Sequence, residues 1–175
     1  MKVIAILIVT VLASFQANAQ DAISKFFGKY ENDEDFSHVS VTSRMFGLFT
    51  NMEMDSEENQ ELMDAISKLK GLKILANDDT KKAKELYKEA FSLIPKAEYD
   101  ELMSVRDEDK DMKFMIKEKD GKISELLMVM GGEKEFFVLS LFGEIDLKQI
   151  SKISKAMDID GLEGLEKLKD KDEKK

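Results

Sequence analysis

The residues DEDKDMKFMIKE, 107 to 118, carry the spacing in this chain that comes closest to a metal site. Asp107, Asp109 and Asp111 fall on positions 1, 3 and 5 of a calcium loop and Glu118 on position 12, where carboxylate oxygens would gather around a hard cation. Position 6, where such a loop turns on glycine, is Met112, and both flanks read as strands rather than helices. A hairpin loop running into a strand accounts for the same letters, so no metal is expected there. DIDG, residues 158 to 161, also offers two carboxylates and a glycine but lacks the later ligands, and reads as a turn with helix-capping acids.

His38 is the single histidine and sits in a strand-like stretch beside Ser37 and Ser40. As a general base it would need a nucleophile and an orienting acid converging on it. No G-x-S-x-G elbow accompanies it, and the expectation is a structural or surface histidine. The 36 acidic residues could supply an acid and base for glycoside hydrolysis, but among so many some pair is close by chance. No tryptophan and only three tyrosines are present to stack on a sugar ring. Gly131-Gly132 and Gly161 to Gly164 fit neither a P-loop nor a dinucleotide fingerprint. The chain has no cysteine, which removes thiol catalysis, thiolate metal sites, cysteine lipidation and disulfides together. No catalytic constellation, metal or cofactor is expected, and the chain reads as a non-enzyme.

The first residues, MKVIAILIVTVLASFQANAQ, combine Lys2, an apolar run from Val3 to Phe15 and the Ala17-Asn18-Ala19 triplet, the pattern of a secretory signal peptide cleaved after Ala19. The run is shorter than the roughly 20 residues that span a bilayer. The expected organisation is a signal peptide over 1–19, one domain over 20–169 and a disordered charged tail over 170–175. The net charge is -9, and losing Lys2 with the leader makes it more negative. Nucleic acid and anionic membranes are poor partners for such a surface, since both need a basic face.

The elements that must position any site follow from periodicity. Ile23, Phe26, Phe27 and Tyr30 form one helical stripe, and Phe36 to Thr42 alternates as a strand. Ser43 can cap a helix bearing Met45, Leu48, Phe49 and Met52, and a second helix aligns Leu62, Ala65, Ile66 and Leu69. GLKILAN, 71 to 77, reads as a strand, and the stripe Ala83, Leu86, Tyr87, Ala90, Phe91, Ile94 as a helix ended by Pro95, the only proline. From Glu101 to Gly143 the period becomes two, with Asp120-Gly121 as a tight hairpin turn and Gly131-Gly132 at the next reversal. Asp146 can cap a last helix carrying Leu147, Ile150, Ile153 and Met157.

The stretch MVMGGEKEFFVLSLFGEIDL, 128 to 147, is the most apolar after the leader; its Gly-Gly and interspersed charges exclude a membrane span. Ser124, Leu126, Met128 and Met130 are expected on one strand face, and Ile123, Leu127 and Val129 on the other. Such strands need cover on both sides, from helices or from another chain. Methionine is plentiful, eleven residues, and suits surfaces that accept varied partners or lipid tails as well as ordinary core filling. Met128, Met130, Phe137 and Leu139 are therefore the candidate face for an apolar ligand or a protein partner.

The segments KFFGKYENDEDFSHVSVTSRMF, KLKGLKIL, YDELMSVRDEDKDMKFMIKEKDGKISELLMVMGG and GEIDLKQISKISKAMDIDGLEGLEKL together resemble the secreted bacterial family known as domain of unknown function 4252, over Asp21 to Lys169. The resemblance implies a small exported protein of Gram-negative bacteria with an envelope signalling or stress role, and it brings no catalytic residues to carry over. The expected fold is α+β: a mostly antiparallel sheet of five or six strands, a meander in its C-terminal half, covered by amphipathic helices. The expected function is binding or regulation in the periplasm or outside the cell, through an envelope protein partner. The alternative is carriage of a lipid or other apolar molecule; a hydrolase is the third reading.

Overall fold

The computed structural model describes residues 22–49 and 57–147. In chain order the elements are α1 (Ala22–Tyr30), β1 (Ser37–Thr42), α2 (Ser43–Phe49), α3 (Glu57–Ser67), β2 (Leu69–Asn77), α4 (Ala83–Leu93), β3 (Asp100–Arg106), β4 (Asp111–Lys119), β5 (Lys122–Gly131) and β6 (Phe136–Ile145). The strands form one six-stranded antiparallel sheet in the order β1-β2-β6-β5-β4-β3. The fold is thus α+β with a C-terminal meander. After β2 the chain crosses through α4 to the far edge, and β3 to β6 then return until β6 closes against β2.

Local chemistry sets the boundaries. Pro95 holds the preceding residue out of the helical region, and Ile94 leaves α4 with φ -75° and ψ 120°. At the β4–β5 turn Asp120 and Gly121 both take positive φ, 55° and 76°, which an Asp-Gly pair tolerates and which matches the strand twist. Gly143, at φ 145° within β6, lies so close to β2 that a Cβ there would come within 2.5 Å of the Lys68 carbonyl oxygen.

α1 and α4 pack side by side on the first sheet face. Ile23, Phe26 and Phe27 of α1 and Ala83, Leu86 and Ala90 of α4 meet Leu75, Leu127, Val129, Phe136 and Val138 of the sheet. Phe26 and Phe136 sit with ring centroids 5.5 Å apart, and Tyr30 and Phe36 extend the aromatic cluster. Across the helix pair, Tyr30 Oη donates to Glu89 Oε2 at 2.9 Å, and Lys29 Nζ donates to the other carboxylate oxygen. The second face carries Leu69, Phe114, Ile116, Leu126, Met128, Leu139, Leu141 and Ile145, with Phe46 of α2 packed against them.

Two expectations need correction. Leu69 does not continue the preceding helix: α3 stops at Ser67, Lys68 N–H bonds to the Ala65 carbonyl in a tight turn, and Leu69 opens β2 opposite Gly143. An apolar residue three positions after Ile66 satisfies a helical stripe and a strand start equally. Ile123 does not share a face with Leu127 and Val129. The register shifts between Ile123 and Glu125, and the bulge turns Ile123 to the side of Leu126 and Met128. The stretches read from the sequence as a signal peptide, as a helix beyond Leu147, as the DIDG turn and as a charged tail lie outside the described residues, as does Met52.

Candidate functional site

The four residues singled out as a ligand or partner face form one block on the second sheet face. Met128 lies opposite Leu139, and Met130 opposite Phe137, in the β5–β6 pairing. β4 extends the block with Phe114 beside Met128 and Met112 beside Met130, and β3 adds Met103 opposite Phe114 and Val105 opposite Met112. Burial falls off across it. Phe114, Met128 and Leu139 are buried, whereas Met130, Phe137, Met112 and Met103 are half-buried and Val105 is exposed. Unbranched, polarizable methionine side chains can re-pack around different shapes, so a half-covered methionine cluster is an adaptable apolar surface.

Opposite this block, on the first face, lies a polar group that sequence reasoning missed. Glu125 is only 5 % exposed and, with Ser140, makes up the buried polar side chains among the described residues. Tyr99 Oη donates to Glu125 Oε2 and Ser140 Oγ to Glu125 Oε1, both at 2.6 Å. Lys117 Nζ lies 5.7 Å from the centre of the Tyr99 ring and donates to Glu98 at 2.6 Å. A buried carboxyl group is tolerable only when its oxygens are satisfied. The arrangement pins the segment after α4 to the middle of the sheet. Its sequence signal was an acid inside a strand otherwise apolar on both sides. Tyr87 is the converse case: its buried hydroxyl has no hydrogen-bond partner among the described residues, and burial raises its pKa above the ordinary value.

Among the described residues the catalytic and metal candidates are not brought together. Asp107 Oδ1 accepts the N–H groups of Asp109 and Lys110 inside the β3–β4 turn, and Asp111 pairs with Arg106. Glu118 lies seven residues further along β4, about 23 Å away at strand rise, so no common cation can be reached. Among the described residues, no group of three or more His, Cys, Asp or Glu side chains is placed to hold a metal ion. His38 is exposed on the edge strand β1, with Ser40 on the same face at about 7 Å strand repeat.

A cleft of about 480 Å³ at the other end of the sheet gathers Glu61, Asp64, Glu118, Glu144 and Asp146 with Lys68 and Lys122. Lys122 hydrogen-bonds Glu144 and holds its carboxyl below the usual range, and Asp64 is paired with Lys68. A glycosidase acid needs its pKa raised, so Glu144 is shifted the wrong way for that role. No described helix is long and apolar enough to cross a membrane.

No curated protein and no solved structure matches the chain. The family model described as Domain of unknown function (DUF4252) matches residues 30–153, from the end of α1 through β6, and with most of its length so matched the chain belongs to that family.

Proposed function

We propose that this protein is a non-enzymatic binding or regulatory protein that acts through a protein partner, exported to the periplasm of a Gram-negative bacterium or outside the cell. The observation that carries the reading is the graded methionine surface: Met103, Met112, Met130 and Phe137 stand half-buried beside the sealed Phe114, Met128 and Leu139. The partner chemistry that fits is an apolar segment with a basic rim, because the chain carries a net charge of -9. Export is supported by the leader pattern of residues 1–19.

The test is capture from envelope extract by the wild-type chain and by Met130→Glu and Met112→Glu. A partner held by the wild type and released by both variants fits the reading. A partner held equally by all three, or none across several growth conditions, counts against it.

The same residues favour one alternative, a carrier of a lipid or other apolar molecule, with Met128, Met130, Phe137 and Leu139 on the wall of its site. Native mass spectrometry of chain purified from its own host separates the two. A discrete added mass released on activation supports carriage, and a bare chain argues against it.

A further inference from the structure

The two edges of the sheet differ in how they are guarded. β3 carries Asp100, Glu101 and Arg106, and a bulge between Glu101 and Met103 interrupts its pairing with β4. Charges and bulges are the devices that keep an edge strand from pairing with another chain. β1, SHVSVT, has none of them: no lysine, acid, proline or glycine, a regular register to β2, and five of six residues exposed. It stands at the end of the strand order, so its outer row of backbone donors and acceptors faces no described strand. Exposed apolar side chains concentrate beside it. Val39 is 45 %, Met45 46 % and Leu48 66 % exposed, and together with Val105 they are the exposed large hydrophobics among the described residues.

We propose that β1 pairs with β1 of a second copy of this chain, joining two sheets across a twofold axis. The symmetry of β1 selects this occupant, because Val39 and Val41 stand on either side of Ser40 and match each other when the strand meets itself antiparallel. A chain of net charge -9 repels its own copy over most surfaces, and β1 is a charge-free strip through which two copies can approach. The ends are complementary as well, because antiparallel self-pairing brings Arg44, just past β1, toward the partner copy's acidic run Glu31, Asp33, Glu34 and Asp35.

Side-chain alternation fixes the register. Val39 and Val41 face the second sheet face, opposite Ile74 and Leu72, while His38 and Ser40 face the first. A twofold axis perpendicular to the sheet keeps each side chain on its own face, so directly opposed residues must share a face. Centring the axis on Ser40 sets Val39 against Val41 twice, His38 against Thr42 twice, and Ser40 against itself. Centring on Val39 instead would set Ser37 against Val41, a poorer match.

The cysteine-free chain makes the test direct. In the full chain, Ser40→Cys treated with a short bismaleimide is expected to give a covalent dimer in high yield. Ser104→Cys, on the guarded edge β3, is expected to give little. Sedimentation of the wild type should report twice the chain mass. Val39→Lys, at a position 45 % exposed, should weaken association on the order of tenfold or more by installing the edge lysine that β1 lacks. A wild type that sediments as a single chain, equal crosslinking at Ser40→Cys and Ser104→Cys, or a foreign peptide found on β1 of a single chain would each overturn the proposal. None of these outcomes depends on Met112 or Met130, so failure here is distinct from failure of the methionine-face reading.

Discussion

The two faces of one sheet are built from the same strands and finished differently. On the first face, α1 and α4 drive rigid aromatic and branched side chains into β5 and β6, and even the polar Glu125 is held by two hydroxyl groups. On the second, the buried side chains are mostly leucine and isoleucine, and burial falls away toward a margin of Met103, Met112, Met130 and Val105. A closed, jigsaw-packed face specifies one structure and resists change. A graded margin of unbranched methionines leaves apolar area half-covered and can re-pack. The comparison teaches that the two sides of β5 and β6 are closed to different degrees.

The largest expected effect breaks the first face. Phe136 is almost fully buried against Phe26 and Phe36, and Phe136→Ala should cost about 3–5 kcal/mol, seen as a large drop in the denaturant midpoint. A loss under about 1 kcal/mol would mean that the helix pair contributes little. Next comes Glu125→Ala, which strips the acceptor from Tyr99 and Ser140 and should cost about 2–3 kcal/mol. Glu125→Gln keeps the volume and one acceptor oxygen and should cost about 1 kcal/mol. Equal losses for the two variants would mean that shape, not hydrogen bonding, is what Glu125 supplies.

Met112→Ala sharpens the contrast from the other side. Half-burial leaves about 1 kcal/mol to lose, measured by the same unfolding transition, while partner capture should fall far more than stability does. A loss as large as that of Phe136→Ala would place Met112 in the rigid core and remove the distinction between the faces.

Much of this architecture was legible in the sequence where local chemistry decides. Pro95 ended α4, Asp120-Gly121 turned β4 into β5, and the stripe Ile23, Phe26, Phe27, Tyr30 became α1. Pairing the four residues Met128, Met130, Phe137 and Leu139 needed only strand alternation and a hairpin near Gly131-Gly132. What was not legible depends on long-range pairing. Nothing local says that β6 is inserted between β2 and β5, or that a bulge at Ser124 moves Ile123 across the sheet. Glu125 shows as an odd acid in an apolar strand, but its partners Tyr99 and Ser140 are 26 and 15 residues away and meet it only through the meander.

The smallest expected effect concerns how the two helices of the first face are tied together. Lys29 lowers the Glu89 carboxyl pKa from its ordinary 4.5, mainly through their hydrogen bond, and the same bond raises Lys29 from 10.5. Burial raises Tyr30 above 10.0. A lowered acid contributes stability above its unfolded pKa and loses it as pH falls through the folded value. A raised base or phenol contributes below its unfolded pKa and loses it as pH climbs through the folded value. The α1–α4 tie should therefore be whole between about pH 5 and 9 and weaken on both sides. Because the pair is well exposed, the change is small and salt-sensitive. Unfolding curves for wild type and Glu89→Gln should lie apart at neutral pH and converge toward pH 3, where protonation does to the wild type what the substitution does to the variant. A gap that persists unchanged into acid would mean that Glu89 acts through packing, and the α1–α4 tie would then rest on apolar contact.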